Sequence, residues 1–227
     1  MIEIIELNKN YIIVKKEYGI PTQSDKSGDK DLLTITSEHL SSLGMDGRLW
    51  LIHRLDRVVS GLVIFARNAR YASLLSGAVS SKAMNKEYLA VVRGKCSKGT
   101  LKDLLYKDAR TNKAYVVDRA RSGVKEARLS YRTLAYNADK DVSLVRIQLD
   151  TGRFHQIRCQ FSHIGHSVLG DGKYGGADNS VKGIALFAFH LSLIDKECNF
   201  DAYSLPDIDA YPWSLFDKVN YEELSND

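Results

Sequence analysis

The chain has 227 residues, 44% of them hydrophobic and 26% charged, which fits one compact domain over residues 1–227 with a sizeable core. Its longest uncharged runs, residues 183–194 among them, have 12 residues, whereas a membrane helix needs about 20, so no membrane-spanning helix is expected. The three cysteines form no Cys-x-x-Cys pair, and the N-terminus lacks the basic start and apolar run of a signal peptide. We therefore expect a soluble, cytoplasmic protein.

The net charge of +4 is distributed unevenly along the chain. Residues 67–132 hold 16 Lys or Arg against 5 Asp or Glu, whereas residues 195–227 hold 2 against 9. The basic block fits a solvated surface, or a face that contacts phosphates and gains affinity by releasing counterions. We favour the phosphate-contacting face, and we expect the acidic C-terminal segment, about 195–227, to pack on the domain away from it.

Strands and helices alternate in the first half of the chain. Runs rich in β-branched and aromatic residues predict strands, and apolar residues at helical spacing predict helices. The predicted elements, in order, are a strand over 11–15, a helix over 31–43, a buried strand over 62–66, a helix beginning near residue 68 and a strand over 87–93.

The second half of the chain begins with residues 95–125, which are basic, show no clean period and predict loops and short edge strands. The alternating segments 126–136 and 143–149 predict antiparallel strands. Residues 154–164 predict a short helix, residues 169–176 a glycine-rich turn, and residues 184–193 a further core strand. Together these elements predict an α+β fold whose mixed, mainly antiparallel central sheet is flanked by helices and loops.

The motif HRLDRVVSG at residues 53–61 places Asp56 between Arg54 and Arg57, directly before a buried strand. A nearby guanidinium stabilises the charged form of a carboxylate, so this pattern predicts an ionised acid. Taken by itself, the motif fits a structural ion pair at a turn as well as it fits a functional site.

Four further segments accompany this motif in order: NYIIVKKEYGIPTQ at 10–23, KEYLAVVRG at 86–94, TGRFHQIRCQFSHIGHSVLGDGKYGG at 151–176 and ALFAFHLSL at 185–193. Together they resemble the RluA family of pseudouridine synthases, here as a catalytic domain without the S4 domain that many relatives carry. The resemblance implies an isomerase that converts specific uridines in ribosomal or transfer RNA to pseudouridine. It also implies RNA as the partner and no small-molecule cofactor, and we expect a monomer.

The resemblance also implies roles for individual residues. Asp56 corresponds to the central catalytic carboxylate, Arg153 to the cation that pairs with it, and Tyr88 to the tyrosine that stacks on the uracil. The residues expected to bind or support the substrate are His53, Arg54, Arg57, His155, Arg158 and Leu186. Arg158, five residues after Arg153, is the alternative partner of Asp56, and a structural or phosphate contact also remains open for it. Ordinary core packing remains open for Tyr88.

Several alternatives remain open from the sequence. His163 and His166 are spaced for a metal, but no acid or cysteine set completes a coordination sphere, so no metal is expected. The glycines of residues 170–176 lack the GxxxxGK[ST] order of a phosphate loop. Val59 stands where the family usually carries threonine, which leaves open a non-catalytic RNA-binding or chaperone-like protein on the same scaffold. A hydrolase that uses Asp56 as its nucleophile would need a second acid or a metal nearby, and neither is evident.

Overall fold

The computed structural model describes residues 2–221 and 224, which divide into two compact units. Unit 1 contains residues up to 85 and residues 188–206, and unit 2 contains residues 86–187 and those from 207 onward. Both units combine antiparallel strands with helices, which confirms the predicted α+β class.

The described residues form eleven strands, three α-helices and two short 3-10 helices. In chain order they are β1 Glu3–Leu7, β2 Tyr11–Lys16, α1 Leu32–Ser42, β3 Trp50–Leu51, β4 Ser60–Ala66, α2 Ala69–Ser81, β5 Asn85–Arg93, β6 Gly99–Asp108, β7 Lys113–Val117, β8 Val124–Asn137, β9 Val142–Leu149, α3 Gln156–His163, a 3-10 turn at Gly172–Tyr174, β10 Leu186–Ile194, β11 Asn199–Tyr203 and a 3-10 turn at Trp213–Phe216.

In unit 1 the strands are ordered β1-β2-β4-β10, with β3 beside β4 and β11 beside β10. The residues of β10 from 188 onward belong to this unit. Each unit 1 helix starts at an acceptor side chain: Asp31 accepts from the Thr34 N–H, and Asn68 accepts from the Tyr71 N–H. These caps satisfy amide donors that a helix N-terminus otherwise leaves unpaired. Helix α2 packs Leu75 onto a cluster that includes Ile64 of β4, so the helix covers this part of the sheet.

In unit 2 the strands are ordered β5-β9-β8-β6-β7, and each neighbouring pair is antiparallel. Helix α3 covers one face of the β6–β8 region. The buried cluster on that face consists of Leu105, Ala114, Ala127, Cys159 and Tyr174. The cysteines of the chain, Cys96, Cys159 and Cys198, are all free thiols and all buried.

The segment 95–125 agrees with its prediction in one part, because β7 is a short strand at the edge of the sheet. It differs in another part, because β6 is a ten-residue strand with a neighbour on both sides rather than a loop or an edge strand. Strands β1, β3 and β11 were not predicted. Helix α3 begins two residues later than predicted because His155, with φ 50° and ψ 30°, adopts the left-handed conformation.

The acidic segment predicted over 195–227 contributes β11 to unit 1, and it also contributes the buried Trp213 and Phe216 to unit 2. Residues 222, 223 and 225–227 of that prediction lie outside the described residues. In residues 2–221 and 224, no helix has both the length and the apolar character needed to cross a membrane.

Candidate active site

The predicted site residues belong to two sets. Unit 1 contains His53, Arg54, Asp56 and Arg57, and unit 2 contains Tyr88, Arg153, His155, Arg158 and Leu186.

Asp56 is half-buried on the loop that joins β3 to β4. The Val59 N–H donates to the Asp56 carbonyl over 3.0 Å, which closes a tight turn around the acid. Val59 itself is only 2% exposed, so its side chain anchors the turn in the core. The methyl groups of valine suit this buried position, whereas a threonine hydroxyl there would need a hydrogen-bond partner.

The segment after β2 holds the backbone on both sides of Asp56. The buried Thr22 hydroxyl donates to the Leu55 carbonyl over 2.9 Å and accepts from the Leu55 N–H over 3.1 Å. The Gly19 N–H donates to the Arg57 carbonyl over 3.0 Å. Because buried hydrogen bonds are costly to break, these contacts fix the position of the acid in the loop.

Lys16 is a buried cation that the sequence reasoning missed as a site residue. Its side chain is 0% exposed, and its ammonium donates to the carbonyls of Glu17, Ile20 and Arg57 over 3.0, 2.8 and 3.1 Å. Burial lowers the pKa of Lys16 to about 8, and the negative charge of Asp56 acts in the opposite direction. Lys16 therefore supplies positive charge to Asp56 from within unit 1.

The other residues of the motif make separate contacts. The Ile64 N–H of β4 donates to Nε2 of His53 over 3.3 Å, so His53 orients its loop against the strand. Arg54 is exposed. The Arg57 guanidinium forms an ion pair with Asp29 and holds the pKa of the Asp29 carboxyl below its usual value.

Gly61 ends the motif for a steric reason. Its φ is +119°, and a Cβ at this position would lie 2.3 Å from the Ala188 carbonyl oxygen and 2.5 Å from the Ala188 nitrogen. Only glycine allows β4 to approach β10 this closely.

In unit 2, Tyr88 is buried on β5, where it lies opposite Ile147 of β9. Leu186 is buried at the first position of β10. The position of Leu186 suits the supporting role that the resemblance implies for it.

Arg153 is exposed on the loop before α3, and β8 fixes its orientation. Its Nε donates to the Glu126 carbonyl over 2.8 Å, and its backbone N–H donates to Oε1 of Gln156 over 3.0 Å. The Thr151 hydroxyl donates to the same Gln156 oxygen over 2.7 Å. The guanidinium is thus held in a defined direction although it faces solvent.

His155 and Arg158 are buried beside Tyr174. The Tyr174 hydroxyl accepts from the Ala114 N–H over 2.7 Å and is hydrogen-bonded to Nδ1 of His155 over 2.9 Å. Burial is the main cause that lowers the pKa of His155 to about 3, so the ring is neutral at physiological pH. His155 therefore joins β7 to α3 through the tyrosine.

Arg158 forms a two-pronged ion pair with Asp171, with Nε to Oδ2 at 2.6 Å and Nη2 to Oδ1 at 3.0 Å. The two side chains are 5% and 1% exposed. These contacts favour the structural role for Arg158 over a substrate contact.

A metal site is not evident in the part of the chain that the structure describes, where no group of three or more His, Cys, Asp or Glu is placed to hold an ion. His163 and His166, whose spacing had raised the metal alternative, belong to no such group.

Comparisons with known proteins identify the family. The model of the RNA pseudouridylate synthase family matches residues 10–163. The uncharacterized RNA pseudouridine synthase YhcT of Bacillus subtilis is 30% identical over 191 residues, which are 82% of this chain and 62% of that protein. The uncharacterized RNA pseudouridine synthase YjbO of the same organism is 30% identical over 85% of this chain and 68% of that protein. Ribosomal large subunit pseudouridine synthase D of Borreliella burgdorferi is 31% identical over 82% of this chain and 58% of that protein.

These figures mean that the chain spans about three fifths of the length of the curated relatives it matches. Among solved structures, human RNA pseudouridylate synthase domain containing 1 superposes with a TM-score of 0.75 at 23% identity, covering 92% of this chain and 84% of that chain, which shows a shared fold. Because the family model matches well over half of the residues, the chain belongs to the RNA pseudouridylate synthase family, in the RluA group that its motifs resemble.

Proposed function

We propose that the protein is an isomerase that converts specific uridines in ribosomal or transfer RNA to pseudouridine, with the Asp56 carboxylate as its central catalytic group. The observation that carries this proposal is the fixed turn around Asp56, with Lys16 and Thr22 bonded to the backbone on either side of the acid. A half-buried acid held this rigidly next to a buried cation suits catalysis, which depends on pre-positioned charged groups.

The reaction breaks the bond between C1′ and N1, turns the uracil and joins C1′ to C5. C5 then loses its proton to solvent, and N1 takes up a proton, so the product is an isomer of uridine. A carboxylate can promote the reaction by forming a covalent adduct with the sugar, or by removing a proton from the sugar to give a glycal-like intermediate. Either route uses the carboxylate form of Asp56, whose negative charge interacts with the buried Lys16. No organic or metal cofactor is part of this proposal.

We assign Arg153 as the guanidinium that pairs with Asp56 and Tyr88 as the ring that stacks on the uracil. The fixed direction of the Arg153 side chain supports its assignment, because an arginine held by one nitrogen presents the rest of its fork in a defined orientation. A target uridine within folded RNA must leave its stack, at a cost of about a few kcal/mol. We propose that Arg54, which is exposed, takes the vacated position or binds a neighbouring phosphate.

The test uses ribosomal and transfer RNA transcripts that carry tritium at uridine C5, since pseudouridine formation releases this label to water. Asp56→Asn should abolish release while leaving the Kd for the same RNA unchanged. Asp46→Asn, which removes the charge of an exposed aspartate elsewhere in unit 1, is the control and should keep full turnover. Tritium release that survives Asp56→Asn would refute the assignment of the acid. RNA binding without turnover in the unaltered protein would instead favour the non-catalytic alternative. We also propose that the protein acts as a monomer in the cytoplasm.

A further inference from the structure

The hairpin formed by β6 and β7 carries two tyrosines side by side on its outer face. Tyr106 lies directly opposite Tyr115, and Leu104 lies directly opposite Val117. Residues opposite one another in an antiparallel pair point to the same side, so the four side chains form one surface. We call this surface the tyrosine face.

The tyrosine face is open to solvent, whereas the other side of the same strands is buried. Tyr115 is 40% exposed, and the three other members of the face are partly exposed. On the inner side, Leu105 and Ala114 belong to the cluster that packs against α3. The hairpin thus packs into the hydrophobic core with its inner side, while the aromatic and apolar side chains of its outer side remain partly exposed.

A cation lies near each of the two tyrosine rings. The Arg121 guanidinium lies 4.8 Å from the centre of the Tyr106 ring, and the Lys113 ammonium lies 5.5 Å from the centre of the Tyr115 ring. The surrounding segment, residues 95–132, holds 11 Lys or Arg against 4 Asp or Glu. A surface of rings with adjacent cations matches a polyanion whose repeating units carry flat bases.

Within unit 2, the tyrosine face lies two strands away from the backbone carbonyl that holds the proposed catalytic arginine. Arg153 donates to the carbonyl of Glu126 on β8, Glu126 lies opposite Leu104 on β6, and Leu104 lies opposite Val117 on β7. Neighbouring strands lie about 4.8 Å apart, so the path from β8 to β7 is about 10 Å, which a few nucleotides can span.

We propose that the tyrosine face binds a single-stranded segment of the substrate RNA next to the target uridine, an inference that rests on the proposed function. Bases stack on Tyr106 and Tyr115, and the cations now lying over the rings move to the adjacent phosphates. Such stacking tolerates any base sequence, because every base presents a flat π-face. The face therefore contributes affinity for unpaired RNA, while the choice of uridine is made elsewhere.

The test measures the Kd of a fluorescein-labelled single-stranded oligouridine and of an RNA duplex of equal length by fluorescence anisotropy. Tyr115→Ala should weaken single-strand binding about tenfold and duplex binding much less, because only unpaired bases can stack on the ring. Tyr115→Phe keeps the ring and should bind like the unaltered protein. Tyr136→Ala is the matched control: Tyr136 is 38% exposed on β8 with a lysine 5.7 Å from its ring, and it lies outside the hairpin.

A second measurement separates the cations from the rings. Replacing Lys113 or Arg121 by glutamine should reduce the slope of log Kd against log salt by about 0.7 for each phosphate that the variant no longer neutralises, whereas Tyr115→Ala should leave the slope unchanged.

The proposal is overturned if Tyr115→Ala binds oligouridine as tightly as the unaltered protein, or if it weakens duplex and single strand equally. Tritium release from C5-labelled RNA is measured in parallel. Ring-dependent binding without turnover on any RNA leaves the tyrosine face standing and refutes the proposed function. Turnover without ring-dependent binding supports the proposed function and refutes the role of the tyrosine face.

Discussion

Replacing Lys16 by methionine tests whether a buried ammonium sits beneath the loop that carries Asp56. Methionine keeps a long side chain but leaves the carbonyls of Glu17, Ile20 and Arg57 without their donor. A buried acceptor that loses its partner costs about 1 to 3 kcal/mol. Relief from burying a charge offsets part of this loss, so we expect unfolding at neutral pH to become easier by about 2 to 4 kcal/mol.

The pH dependence of this difference is more diagnostic than its size. Burial lowers the pKa of Lys16 from its usual 10.5 to about 8, which corresponds to about 3 kcal/mol. Between these two pH values the unfolded chain keeps a proton that the folded protein has released, so the free energy of unfolding rises with pH. Lys16→Met lacks this group. The stability gap between the two proteins should therefore widen by about 2 kcal/mol from neutral pH to about pH 9.5.

The assay is urea unfolding at a series of pH values, followed by tryptophan fluorescence. Trp50 lies in unit 1 and Trp213 in unit 2, so a Trp213→Phe background makes the signal report on the unit that contains Lys16. Lys15→Met is the matched control for loss of a lysine from β2. Because Lys15 contacts the exposed Glu3 at 3.4 Å, we expect it to cost only about 1 kcal/mol or less. A stability gap for Lys16→Met that stays constant between neutral pH and about pH 9.5 would refute the reasoning.

Three further changes test other parts of the structure. Gly61→Ala forces a Cβ into the backbone of the neighbouring strand and should lower the free energy of unfolding by about 2 kcal/mol or more. The control, Gly77→Ala, adds a carbon in helix α2 with no atom within 4 Å and should raise the free energy of unfolding by about 0.5 to 1 kcal/mol. Equal effects of the two variants in urea titrations would contradict the predicted clash. Arg158→Met leaves Asp171 buried without its cation and should lower the stability measured by thermal unfolding by about 3 to 5 kcal/mol. The further change Asp171→Leu should restore part of this stability. An unchanged stability in Arg158→Met would show that the ion pair is unimportant for folding. His155, with its pKa lowered to about 3, should show the nitrogen chemical shifts of a neutral imidazole at pH 5. Its contribution to stability should be lost as pH falls from about 6.5 towards 3, because the unfolded chain binds a proton there before the folded protein does. A protonated ring at pH 5 would disprove the buried contact.

Much of the fold follows from local patterns. The strand predicted over 11–15 is β2, Tyr11–Lys16, and the alternating segment 143–149 lies within β9, Val142–Leu149. These segments are readable because burial of one or both faces imposes a clear apolar pattern.

Strand β6 was missed because charged residues occupy both of its faces. On the inner face, Asp103 accepts from Nε2 of Gln160 over 2.6 Å, and the Lys107 ammonium lies 4.2 Å from the centre of the Phe154 ring. Gln160 belongs to α3 and Phe154 to the loop before it, more than forty positions along the chain. The partners that make these charges acceptable are therefore invisible to a local pattern.

The candidate site also contains residues that a local pattern predicts and residues that it does not. Asp56 was identifiable from its motif, but Lys16 resembles an ordinary charged end of a strand in the sequence. Its burial depends on the carbonyl of Arg57, which only the folded loop brings within 3.1 Å. Arg158 shows the opposite case, because its position in a motif predicted a substrate contact while its contacts favour a structural ion pair.

The buried thiols make the protein convenient to label. Burial raises the pKa of Cys159 and Cys198 to about 11 and raises that of Cys96 as well, so thiolate, the form that maleimides attack, is scarce at all three positions. A cysteine introduced at the exposed Ala109, in the turn between β6 and β7, would be modified in preference to the native ones. A fluorophore attached there would test the RNA binding proposed for this hairpin, because it would report each binding event while every native cysteine stays in place.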